Sequence, residues 1–220
     1  MGAELADPDN TSFPALIAKH FGLRLHNAAH SGSSNFRILR TTLLWIAEYL
    51  GHGGKPDELF VLIGWTAPDR REIGQSYEEG TADADVFWRN IFPHCQLLDA
   101  SADLAQLHKL ITRSFWCDRE SMTRFLVAVN AVQGALKSHG IRYCFLRAMP
   151  ICSVHPELSP MTTAVDAKRF FRFFETKSDF LSVSHFPWRV PIGSMNHLLE
   201  EGHRRRSALL IDHIDQDRLL

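Results

Sequence analysis

Cysteine is scarce in this chain. Cys95, Cys117, Cys144 and Cys152 are scattered without a C-x-x-C pair, which excludes zinc-ribbon and thioredoxin-like sites and leaves buried free thiols as the expectation. Charge of one sign is lacking too. The formal net charge is −1, and the one basic run, Arg204 to Arg206, has no interleaved aromatic residues, so nucleic acid is not an expected partner. No window approaches the ~18 uninterrupted apolar residues of a membrane span, and "MGAELADPDNTSFP" opens acidic and polar rather than as a secretory leader. A soluble cytoplasmic protein with no membrane partner is expected. G-x-x-x-x-G-K-[ST], G-x-G-x-x-G and G-x-S-x-G are all absent, which removes the common phosphate loops and the nucleophile elbow. His197 and His203 do not have the i,i+4 spacing of a metal-binding helix, so neither metal nor cofactor is expected.

What is present suits one compact domain spanning residues 1–220. The 220 residues are 45% hydrophobic and 22% charged, enough to bury a substantial core. "PALIAKHFG", preceded by Asn10, Thr11 and Ser12 and closed by Gly22, predicts a short helix. "LRLHNAA" (23–29) predicts a strand, and "HSGSSN" a turn. Phe36, Leu39, Leu43, Ile46 and Leu50 step by three and four, the pattern of a helix burying one face. "ELFVLIG" (58–64) and "IRYCFLRAMP" (141–150) read as strands covered on both faces. Between them, the polar stretch from Trp65 to Trp88 reads as an irregular excursion. Residues 103–112 and 119–139 predict helices, the second burying Met122, Phe125, Leu126, Val129, Val132 and Leu136. "DAKRFFRFFE" (166–175) predicts a short amphipathic helix, and 198–213 a final one. Alternating strands and helices predict an α/β fold, a three-layer sandwich around a mainly parallel sheet.

In such sheets reactive groups gather where strands end and helices begin. Three places qualify. Gly32 permits a tight turn, and Ser33, Ser34 and Asn35 put polar groups at a helix start; this turn can hold an oxyanion, or Ser34 or Asn35 simply caps the helix. Gly64 lets the chain leave the sheet closely, Trp65 can wall a pocket and Thr66 offers a hydroxyl. Arg70, Arg71 and Glu72 are either part of that site or a solvated charge cluster. His197 stands just before the last helix and His203 stands inside it, each either structural or functional.

These three stretches, in this order, resemble the SGNH hydrolases, the GDSL-like lipases and esterases. "NAAHSGSSNFRILR" looks like the second block of that superfamily, "VLIGWTAPDR" like the third, and "NHLLEEGH" like the fifth. The nearest likeness is to a bacterial and phage subgroup with G-W-T in the third block. The resemblance implies an SGNH- or flavodoxin-like sandwich and a serine esterase or acetylesterase scaffold acting on a small-molecule or carbohydrate-linked acyl ester. It gives His197 the role of general base and Gly32 that of oxyanion donor, with Asn35 shaping the turn. Gly64 lies in the third block, and Thr66 stands where an asparagine supplies a second donor. Ser194 stands where the block carries its aspartate, and Leu198 where it carries proline.

The nucleophilic serine of the superfamily belongs to a block that precedes the sequence resembling "MGAELADPDNTSFP". The expectation is therefore a sheet lacking its first strand and a site lacking its serine, with Ser33 or Ser34 as the substitutes to consider. An uncovered sheet edge invites pairing with another chain, so a homo-oligomer is expected. The alternative is a non-catalytic binding or structural protein that retains the fold.

Overall fold

The computed structural model describes residues 5–30, 32–75, 87–91, 102–149, 155–173, 190–193 and 198–220. Helices α1 (Pro8–Thr11), α2 (Phe13–His20) and α3 (Asn35–Gly51) precede strand β1 (Phe60–Trp65). Strands β2 (Arg71–Gln75) and β3 (Phe87–Ile91) form an antiparallel pair. Helix α4 (Ala102–Leu110) runs into a π-helical turn, Ile111–Phe115, and is followed by α5 (Asp118–Ser138) and strand β4 (Arg142–Arg147). Helix α6 (Ser159–Thr163), strand β5 (Phe170–Phe171) and helix α7 (Glu200–Gln216) complete the order.

The fold is α/β, built on a small parallel sheet of order β1-β4-β5. β1 and β4 run in register from Phe60 opposite Arg142 to Trp65 opposite Arg147. Side chains alternate across a strand, and β4 uses both faces. Tyr143 and Phe145 join Ile46 of α3 and Met122, Phe125, Leu126, Val129, Val132 and Leu136 of α5 in one core. Cys144 and Leu146 join Phe13 and Ile17 of α2 and Leu210 and Ile214 of α7 in a second. The apolar stripe of α5 is buried as its periodicity predicts. Just past its end Gly140 has a left-handed φ of +68°, and the Ile141 N–H returns to the Leu136 carbonyl at 2.9 Å, a closing turn that favours glycine.

Three expectations are corrected. The first concerns residues 23–29, which form no strand: Arg24 to Ala29 are solvent-exposed and belong to no ladder, and a strand without a ladder is not stable. Instead the His26 ring stacks on Trp45 of α3, centroids 5.1 Å apart.

The second concerns the helix expected over 166–175, where β5 stands instead at Phe170–Phe171; residues 174 and 175 lie outside the described residues. Phe170 and Phe171, adjacent in sequence, enter opposite cores, which a strand allows and a helix, turning about 100° per residue, does not. Side-chain amides hold the approach to β5: Gln133 Nε2 donates to the Ala164 carbonyl at 2.8 Å and Gln133 Oε1 accepts from the Asp166 N–H at 2.7 Å.

The third concerns the excursion after Gly64, which carries the β2–β3 pair, so it is not irregular throughout. Cysteine burial also divides: Cys144 is buried and Cys117 exposed, while Cys95 and Cys152 lie outside the described residues. Among the described residues no helix is long and apolar enough to cross a membrane.

Phe145 is fully buried on the β4 ladder, with T-shaped contacts to Trp65 and Phe170. Phe145→Ala is expected to cost about 3–5 kcal/mol, read from the urea midpoint at unchanged slope; a loss below about 1 kcal/mol would contradict the packing described.

Candidate functional site

The site is built where β1 ends and α3 begins. Asn35 is the first residue of α3 and is 4% exposed. Its Oδ1 accepts from the Thr66 N–H at 3.0 Å. Its Nδ2 donates to the carbonyls of Thr66, at 3.2 Å, and Ala67, at 3.1 Å. Both ends of one carboxamide therefore fasten the start of α3 to the carboxyl end of β1, 31 residues along the chain. Both hydrogens of Nδ2 are engaged, so Asn35 holds the loop rather than donating to a ligand.

Ahead of Asn35, Ser34 is fully buried and its Oγ accepts from the Arg37 N–H at 3.0 Å. That is an N-cap, and it corrects Ser34 as a substitute nucleophile: a buried hydroxyl committed to a backbone donor is not available to attack. Ser33 is part-buried and its Oγ donates to the His30 carbonyl at 2.8 Å. Gly32 has φ +75°, a left-handed position suited to glycine.

Gly64 lies opposite Leu146 in the ladder and Trp65 opposite Arg147. The Trp65 ring is fully buried, so it belongs to the core rather than walling an open pocket. Its Nε1 finds no acceptor among the described residues. Thr66 is 7% exposed and its N–H is taken by Asn35, which leaves the hydroxyl as the group it can offer.

Arg70, Arg71 and Glu72 are not a solvated charge cluster. Arg70 is part-buried, and its backbone N–H closes a turn onto the Ala67 carbonyl at 3.2 Å. Desolvation lowers its pKa, opposed by the Asp69 carboxylate. Arg71 pairs with Glu120 and lies over the Trp116 ring. The Glu72 side chain is buried 3.4 Å from the Arg40 guanidinium.

Sequence reasoning missed Arg147. It ends β4, is 3% exposed, and sits across the ladder from Trp65; an arginine closing an apolar strand run is the signal that could have found it. Cys144 contributes no nucleophile, because burial pushes its thiol up to about 12.

His203 lies between α2 and α7. Its Nδ1 accepts from the Phe13 N–H at 3.0 Å, so the imidazole caps the first turn of α2. Burial, and then the Arg206 charge, lower its pKa to about 4. Ser194 and His197 lie outside the described residues. The chain on either side of them is joined by an antiparallel bridge between Ile192 and Leu198. Among the described residues no group of three or more His, Cys, Asp or Glu side chains is placed to hold a metal ion.

The structure thus brings Ser34, Asn35, Gly64 and Thr66 to one rim, and commits His203 to the first turn of α2. A family model matches residues 6–206, and its description is a family of unknown function, DUF6071. The chain belongs to the DUF6071 family. No curated protein and no solved structure matches it.

Two outcomes are expected. Asn35→Ala leaves the Thr66 N–H and two carbonyls without their partner, and should lower unfolding free energy by about 2–4 kcal/mol; a change under about 0.5 kcal/mol in chemical denaturation would show that the clamp contributes nothing. For His203, the folded value near 4 lies below the ordinary 6.5. The unfolded chain therefore takes up the proton first, and stability present above pH 6.5 is lost as pH falls toward 4, by at most about 1.4 kcal/mol per pH unit. Denaturation curves across that range should show the slope in the native protein and a flatter one in His203→Gln. Parallel slopes would contradict the assignment.

Proposed function

We propose that this chain carries an SGNH-type hydrolase scaffold, a three-layer α/β sandwich whose chemistry is acyl transfer from a small-molecule or carbohydrate-linked ester. The observation that supports the reading is the Asn35 carboxamide, which fastens the "SGSSN" turn to the end of the "VLIGWT" strand. The second and third blocks of the resemblance are thereby neighbours at the carboxyl end of a parallel strand, where sites of α/β sheets are built.

In this reading a serine hydroxyl attacks the ester carbonyl while His197 accepts its proton. The tetrahedral oxyanion is held by the Gly32 N–H and by the Thr66 hydroxyl. The imidazolium then returns the proton to the departing alcohol, and water repeats the sequence to release the acid. That serine is not Ser34, which is buried as a helix cap.

A second reading is favoured by the same observation about Ser34 and by Ser194, which stands in place of the aspartate that orients the imidazole. It is a DUF6071 protein that keeps the scaffold and binds without catalysis.

The test is hydrolysis of p-nitrophenyl acetate by this chain and by the chain extended upstream in frame, with a fluorophosphonate probe in parallel. The hydrolase reading expects turnover and serine labelling in the extended form, and kcat/KM lowered about 10²–10⁴-fold by His197→Ala. Absence of both turnover and labelling in either form overturns it in favour of the non-catalytic reading.

A further inference from the structure

Helix α3 carries a second feature at its other end. Residues Glu48 to His52 lie about 20–25 Å along the helix from Asn35, at about 1.5 Å per residue. There His26, Trp45, Glu48, Tyr49, His52 and Gly54 line an open groove of about 520 Å³. Trp45 stacks on both Tyr49, at 5.3 Å and 13° between planes, and His26, at 5.1 Å and 23°.

Near-parallel rings touch at about 3.5 Å between planes. Centroids more than about 5 Å apart therefore mean slipped stacks, and Trp45 and Tyr49 stay part-exposed while His26 is exposed. Gly54 sets the far wall: a Cβ at that position would overlap the Tyr49 ring, so the backbone approaches the ring as only glycine permits.

The groove's charge is one-sided. Its lining holds the Glu48 carboxylate and neither lysine nor arginine. Glu48 is exposed, and no ion pair engages it among the described residues. The imidazole Nδ1 of His52 is committed to the Glu48 backbone carbonyl at 2.8 Å. Exposed aromatic surface attracts cations through the ring quadrupole, and a largely aromatic lining suits a weakly hydrated organic ion better than a metal.

We infer that the groove formed by His26, Trp45, Glu48 and Tyr49 binds a small organic ammonium ion, held over the aromatic faces with Glu48 as its counter-charge. The site is independent of the acyl-transfer reading, since it shares no residue with the Asn35 rim.

The test uses the full chain, with choline as the cationic probe and 3,3-dimethylbutanol as its uncharged isostere. The Trp45 indole N–H signal, assigned with Trp45→Phe, is followed by NMR during titration. Choline should shift that signal with a dissociation constant in the millimolar range and bind at least about threefold more tightly than the isostere. Glu48→Gln, a substitution at an exposed helix position, should weaken choline at least about threefold while leaving the spectrum of the core unchanged. Equal binding of the isostere, choline affinity unaltered by Glu48→Gln, or a Trp45 signal that moves with N-acetylglucosamine and not with choline would each overturn the inference.

Discussion

A buried carboxamide has one acceptor and two donor hydrogens to satisfy, and each left unmade costs on the order of 1–3 kcal/mol. Asn35 meets all three at once, on the N–H and carbonyl of Thr66 and the carbonyl of Ala67. The first residue of α3 and the first residues beyond β1 are thus locked in a single relative position. Glycine at 32 lets the chain turn into this arrangement, and Ser34 caps the helix behind it. Everything proposed for the rim depends on that lock, because an oxyanion site works only when its donors are fixed before charge develops.

The rest of the molecule supplies the rigidity the lock needs. β4 is the central strand of its sheet, with helices packed on either face: α3 and α5 over Tyr143 and Phe145, α2 and α7 over Cys144 and Leu146. Amide side chains repeat the Asn35 device elsewhere. Gln133 holds the 164–166 turn against α5, and Asn130 reaches the Met161 carbonyl at 3.0 Å. Polar groups at the edges of the core thereby fix loops that hydrophobic packing, being non-directional, would leave free to slide.

Long periodic segments are legible in the sequence. α5 and α3 follow from apolar spacing, and the cores of β1 and β4 from uninterrupted apolar runs, because burial imposes those patterns directly. The 23–29 segment misleads because a ring stack from His26 onto Trp45 is an alternative way to dock an extended chain. The 166–175 segment misleads because four phenylalanines fit a helix face and a strand equally well; the β4 ladder decides between them. At the site, the "SGSSN" turn and Thr66 are recognisable as a pair by order alone. The direction of the Asn35 amide depends on a tertiary contact between residues 31 apart, and the burial of Arg147 on its place beside β1, neither of which local pattern encodes. His203 has two open roles in the sequence, and only its distance from Phe13 assigns it to the α2 terminus.

The central claim is that the Asn35 amide holds the end of β1 to the start of α3. Native-state hydrogen exchange at the Thr66 amide tests it most directly, because that N–H bonds to a side chain and not to a strand partner. The account predicts protection on the order of 10³-fold or more over an unstructured peptide. Exchange at the rate of a solvent-exposed loop would contradict it.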